Sequence, residues 1–195
     1  MAQRVCPFIF GYWLACPVRR LVHKPEKIVE PYVTSGMNVL EVGPAMGFFS
    51  LPMARMVGVS GKVICVDVEA RMLRVLEKRA RKAGLTDIIV TRTCTADSLC
   101  VGDYEGKIDF ALLFAVVHEI PEVGKLFGEV ARALKAGGKC LVAEPRGHVK
   151  EKAFRETPAL AERQGFELGG EPRVRWSRAA ELRKKQSQPR AAEAQ

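Results

Sequence analysis

The first apolar run of the chain ends in a glycine-containing turn, VLEVGPAMGFFS (residues 39–50). Gly43 and Gly47 free the backbone to turn tightly and to let a ligand come close, and Glu41 stands two positions before Gly43. A helix following such a turn presents free amide groups and a positive dipole end, which suits a nucleotide. The spacing selects among nucleotide sites. A GxGxxG fingerprint counted from Gly43 would need glycines at Ala45 and Phe48, and a phosphate loop would need a Gly-Lys-Ser/Thr ending that is missing. GxGxG behind an acidic residue fits better, with alanine at its centre. Further chemistry-bearing residues stand where later apolar runs stop. They are Asp67 in VDVEARML, Asp97 in CTADSL, His118 and Glu119 in AVVHEIPE, and Glu144 after CLVA.

Strand-length apolar runs at 39–42, 63–66, 88–91, 108–114 and 140–143 must position these residues. Continuous β-branched runs are what a parallel sheet buried on both faces requires. Helical periods alternate with them. From Glu69 to Ala83, one stripe holds Met72, Leu73, Leu76, Ala80 and Ala83, and Gly84 stops it. From Pro121 to Leu134, a second stripe ends before Gly137-Gly138. A third helix is expected over Glu151–Gln164, stopped by Gly165. FEL (166–168) and RVRWS (173–177) read as a closing hairpin. The expected fold is α/β: a Rossmann-like, doubly wound, mostly parallel sheet with an antiparallel strand near the C-terminal end. In such sheets ligands bind beyond the carboxyl ends of the strands, near the point where strand order reverses.

At these positions the sequence resembles the class I S-adenosylmethionine-dependent methyltransferases, over roughly residues 25–180. The resemblance implies S-adenosylmethionine as cofactor and S-adenosylhomocysteine as product. It implies a cofactor site of Glu41, Gly43, Ala45, Gly47, Asp67, Val68, Asp97, Ser98 and Phe114. In the family, the position of Asp67 binds the ribose hydroxyls, since a carboxylate accepts from both at once. The position of Asp97 contacts the adenine amino group. AVVHEI after the fourth run, and LKAGGKCLVAEP into the fifth, look like the subgroup with ubiquinone/menaquinone-type C-methyltransferases. Ala45 departs from the pattern. Its methyl narrows the approach to the cofactor, and a positive φ there would cost about 1 kcal/mol or more.

A sulfonium is already a strong methyl donor, so the protein mainly aligns the reactants and excludes water. A carbon, nitrogen or oxygen acceptor can also need a base, and His118 is the candidate. The substrate pocket is expected from Tyr12, His23, His118 and Glu144. Residues 1–24, with Phe8, Phe10, Tyr12 and Trp13, read as a cap, residues 25–182 as the single methyltransferase domain, and 183–195 as a polar tail. The net charge of +9 is concentrated at the two ends, so nucleic acid is a conceivable partner. An Asn/Asp-Pro-Pro-aromatic motif after the fourth run is absent, which favours a small-molecule acceptor. The alternatives are a nucleic-acid or protein methyltransferase, or an inactive cofactor-binding scaffold. The six cysteines form no CxxC and suggest a reduced, cytoplasmic protein without a metal. The longest uncharged stretch, Val5–Val18, is 14 residues and too short to span a bilayer, which takes about 20.

Overall fold

The computed structural model describes residues 23–186. The chain runs α1 (Pro25–Val29), β1 (Asn38–Val42), α2 (Ser50–Val57), β2 (Lys62–Asp67), α3 (Ala70–Lys82), β3 (Ile89–Thr93) and β4 (Ile108–Phe114). It continues through α4 (Val123–Ala133), β5 (Leu134–Pro145), α5 (Glu151–Glu162), β6 (Phe166–Gly170) and β7 (Ser177–Lys184). The strands form one sheet in the order β3-β2-β1-β4-β5-β7-β6. β1 pairs in parallel with β2 and β4, setting Leu40 opposite Ile64 on one side and Ala111 on the other. Strand order reverses between β1 and β4, so a crevice is expected beyond their carboxyl ends. β7 lies between β5 and β6, antiparallel to both.

Burial on both faces explains the uninterrupted apolar runs. Val39, Phe110, Leu112 and Leu141 pack on one face with Val29 of α1, Met53 of α2 and Leu73 and Leu76 of α3. Leu40, Ile64, Leu113 and Val142 pack on the other with Phe127 of α4 and Phe154 of α5. α3 buries Met72, Leu73, Leu76 and Ala80, and its start is capped by the Glu69 carboxylate, which accepts from the Arg71 amide at 3.0 Å. Ala83, expected on the same stripe, is its exposed C-cap residue.

Two local expectations are corrected. α4 stops at Ala133, and Leu134 already belongs to β5. The register jumps from Ile108–Leu134 to Phe110–Lys139, so the Gly-Gly pair sits in an irregularity of β5 and not at the helix end. The closing hairpin also uses a different second strand. RVRW (173–176) lies in the linker, with Val174 tucked inward, and Ser177–Lys184 forms β7. Ala, Glu and Lys are poor strand formers, and here seven pairings with β5 override that preference. β7 therefore carries the sheet through Lys184, into the segment read as tail.

Candidate functional site

The turn after β1, the ends of β2 and β4 and the loop after β3 converge on one cleft. Glu41, Gly43, Ala45, Asp67, Val68, Asp97, Ser98 and Phe114 all line it, which brings together eight of the nine residues expected at a cofactor. Gly47 is not among the lining residues.

The turn after β1 takes left-handed backbone at Gly43 (φ +69°), Ala45 (φ +48°) and Gly47 (φ +87°). A Cβ at Gly43 would lie 2.8 Å from Cγ2 of Val116, so glycine lets the loop after β4 close against the turn. A Cβ at Gly47 would lie 2.4 Å from Cδ1 of Leu76. That glycine seats the turn on α3. Ala45 holds the left-handed conformation that costs an L-residue about 1–2 kcal/mol. Neighbouring hydrogen bonds hold the turn in this shape. The Gly43 amide donates to the Val66 carbonyl at 2.9 Å, and the Arg79 guanidinium donates to the Met46 carbonyl.

Glu41 lies inside β1, 3% exposed, and accepts from Ser50 Oγ at 2.5 Å. The Cys65 thiol is 3.9 Å from the same carboxylate oxygen, and burial together with that charge pushes its pKa well up. Asp67 ends β2 and accepts from the Glu69 amide at 2.9 Å. Burial raises the Asp67 pKa, and the backbone amides of Glu69, Ala45 and Val68 only partly hold it down. It is a desolvated carboxyl at the wall of a cleft, suited to accept hydrogen bonds from a neutral polar ligand. Val68 beside it is 43% exposed and lines the same cleft. Asp97 sits in the loop after β3. That loop is pinned by Glu129 of α4, which accepts from Ser98 Oγ at 3.1 Å and from the Leu99 amide at 2.7 Å. Glu129 itself lines the cleft, and sequence reading missed it because its partners are some 30 positions away.

Phe114 ends β4 against Phe49, with ring centroids 4.6 Å apart. Ala115 (φ +58°) then turns the chain out of the sheet into a short 3-10 turn, Val117–Glu119. Glu144, at the end of β5 and 2% exposed, organises this turn. Its Oε1 accepts from the Val117 amide at 2.8 Å and the His118 amide at 3.4 Å. Its Oε2 is 2.5 Å from His118 Nδ1. That hydrogen bond raises the His118 pKa above its ordinary value, burial opposes it, and the charges of Glu144 and Glu119 add to the rise. Neither His118 nor Glu144 lines the cleft, but Val116 and Glu119, on either side of His118, do. His23 bonds elsewhere: Nε2 lies 2.7 Å from the Arg175 carbonyl, and its ring meets Phe114 edge-on at 5.3 Å. Tyr12 lies outside the described residues.

The sequence profile of a family described as "Methyltransferase domain" matches residues 33–187. The chain belongs to this methyltransferase family. Among curated proteins, it is 30% identical over 112 residues to the ubiquinone/menaquinone biosynthesis C-methyltransferase UbiE of Pasteurella multocida, covering 57% of this chain and 41% of that one. It is 30% identical over 125 residues to UbiE of Cellvibrio japonicus, covering 63% and 49%. The chain thus spans just under half the length of these relatives. Its fold matches a SAM dependent methyltransferase from Aquifex aeolicus with a TM-score of 0.82 at 22% identity, over 92% of this chain and 99% of the other. It also matches the geranyl diphosphate C-methyltransferase of Streptomyces coelicolor, solved with S-adenosyl-L-homocysteine, with a TM-score of 0.70 at 13% identity, over 83% and 75%. The architecture of this methyltransferase is therefore the class I, Rossmann-like one. Among its described residues no helix is long and apolar enough to cross a membrane, and no three His, Cys, Asp or Glu side chains cluster as for a metal ion.

Proposed function

We propose that this methyltransferase holds S-adenosylmethionine in the cleft and methylates a small organic acceptor in the cytoplasm, by in-line transfer. The observation that carries the proposal is the convergence of Gly43, Asp67, Val68 and Asp97 on one cleft beyond the sheet's carboxyl edge. These groups fit the cofactor. Gly43 keeps a side chain out of the turn, and the half-exposed Val68 offers an apolar face to a base. Asp67, desolvated and backed by amides, accepts from ribose hydroxyls, and Asp97 accepts from an exocyclic amine. When bound, S-adenosylmethionine supplies a methyl group on a sulfonium, already activated for transfer.

His118 is the proton acceptor of the proposal. Glu144 engages Nδ1 and fixes the tautomer, which leaves Nε2 to take a proton from the acceptor. The C-methyltransferase names of UbiE and the geranyl diphosphate enzyme support a small-molecule acceptor. Calorimetry tests the first step: S-adenosylhomocysteine should bind and NAD should not. Labelled methyl incorporation across phenol, quinol, amine and thiol acceptors tests the second. Binding of NAD instead, or methyl transfer only to RNA or protein, overturns the proposal.

A further inference from the structure

A second groove lies on the α1 side of the sheet, between α1 and the 171–176 linker. No residue is shared between it and the cofactor cleft. Its rim is electrostatically one-sided. Lys24 and Lys27 border it from the α1 side, Arg173 and Arg175 from the linker, and no carboxylate lines it. All four cations are exposed, and none of them is in an ion pair among the described residues. Glu26 and Glu171 belong to these two segments without lining the groove, and Glu181 pairs with Lys139 at 3.0 Å while its charge and hydrogen bond help raise the Tyr32 pKa.

The two basic walls are fixed relative to each other. His23 Nε2 and the Arg175 carbonyl, 152 positions apart in sequence, lie 2.7 Å apart. Val29, fully buried, seats one wall, and Val174, 7% exposed, seats the other. The backbone segments that carry the four like charges are thereby held on opposite sides of one concavity. Such a concavity concentrates positive potential and attracts an anion. Its floor is not polar. Leu141 and Val174 lie beneath it, and the Tyr32 ring is stacked on Phe110 with centroids 5.1 Å apart. The Tyr32 hydroxyl, pushed up to about 12 by burial and Glu181, stays neutral there.

We propose that this groove binds an organic anion with an apolar body, such as a monoalkyl phosphate or carboxylate. The acidic head meets the Lys24, Lys27, Arg173 and Arg175 side chains, and the body lies over Leu141, Val174 and Tyr32. The proposal does not rest on methyl transfer. Loss of S-adenosylhomocysteine binding with the groove intact would count against the proposed function alone.

The test is calorimetry on the full chain with octyl phosphate below its micellar concentration. Octyl glucoside serves as the neutral analogue and inorganic phosphate as the headgroup alone. Octyl phosphate should bind saturably, and the other two at least about tenfold more weakly, since both the charge-assisted contacts and the apolar floor contribute. The double variant K27Q/R173Q should weaken octyl phosphate by about tenfold or more while S-adenosylhomocysteine affinity stays within about twofold. If the double variant loses S-adenosylhomocysteine binding too, the single variants Lys27→Gln and Arg173→Gln repeat the comparison. Each should weaken octyl phosphate by about threefold or more. The proposal is overturned by the absence of saturable binding, by an unchanged affinity in these variants, or by inorganic phosphate binding as tightly. Binding to phosphatidic acid vesicles without binding to monomeric octyl phosphate overturns it as well.

Discussion

At the ends of β1 and β2 the cleft is walled by backbone, by glycine and by the carboxyls of Glu41 and Asp67. At the ends of β4 and β5, beside the cleft, two side chains, His118 and Glu144, are held together at 2.5 Å. The first region is shaped by local chain geometry, with three left-handed residues within five positions. The second is shaped by a pairing across 26 positions of sequence. The contrast divides labour. A wall of backbone recognises a ligand by form and changes little with pH. A histidine held by a buried carboxylate responds to pH and can move a proton.

The sharpest way to break this division is to remove His118. His118→Ala should lower turnover by about 10²- to 10⁴-fold, the usual worth of a general base, and leave S-adenosylhomocysteine affinity unchanged by calorimetry. Unchanged turnover would reduce His118 to an anchor of its loop. Glu144→Gln sharpens the same point. In the wild type, the rate should rise with pH through a midpoint above the ordinary histidine value, because the basic form is needed and Glu144 raises the pKa. Removing that cause should move the midpoint down, and NMR titration of the imidazole should report the same shift without turnover. By the same sign, the stability contributed by His118 is fully present below its unfolded-state pKa. It is lost as pH rises through the higher folded value.

On the backbone side, Gly47→Ala should cost about 2–4 kcal/mol in denaturant melts, from overpacking against Leu76 together with left-handed strain. A ligand-facing glycine would instead lose affinity with little loss of stability. Asp67→Ala should weaken S-adenosylhomocysteine by about 10- to 150-fold, the worth of charge-assisted hydrogen bonds of about 1.5–3 kcal/mol. Its melting temperature should hold or rise, because a carboxyl whose pKa is raised by burial is a strained group in the free protein. The smallest expected change is at Ala45. Ala45→Gly should stabilise the fold by about 1 kcal/mol and keep or improve cofactor affinity. A large loss of affinity would show the alanine methyl packing on the ligand.

Much of the first region was legible in the sequence. Glycine spacing, apolar run lengths and the acids at run ends are local signals: they place β1, β2 and β4 within a residue, and eight of the nine residues expected at a cofactor lie on one cleft. Gly47 was read for its freedom, but its neighbour Leu76 comes from another helix, and only folding reveals it. The second region was half legible. His118 and Glu144 were both placed at the working edge, yet as separate pocket residues. Their hydrogen bond depends on the register of β4 against β5, which no window of sequence contains. Glu129 went unread for the same reason. β7 escaped because its residues are weak strand formers selected by their partners.

The place of β7 bears on how the chain is made. Ribosomal synthesis delivers β6 before β7, yet β7 must lie between β5 and β6. Until residues 177–184 have emerged, the nascent polypeptide presents β5 as an unpaired edge over seven positions, Lys139 to Pro145, most of them apolar. An open strand of that kind is a template for association with other chains. The strand that covers this edge is the last of the seven to be translated, and until it arrives the edge stays open to association.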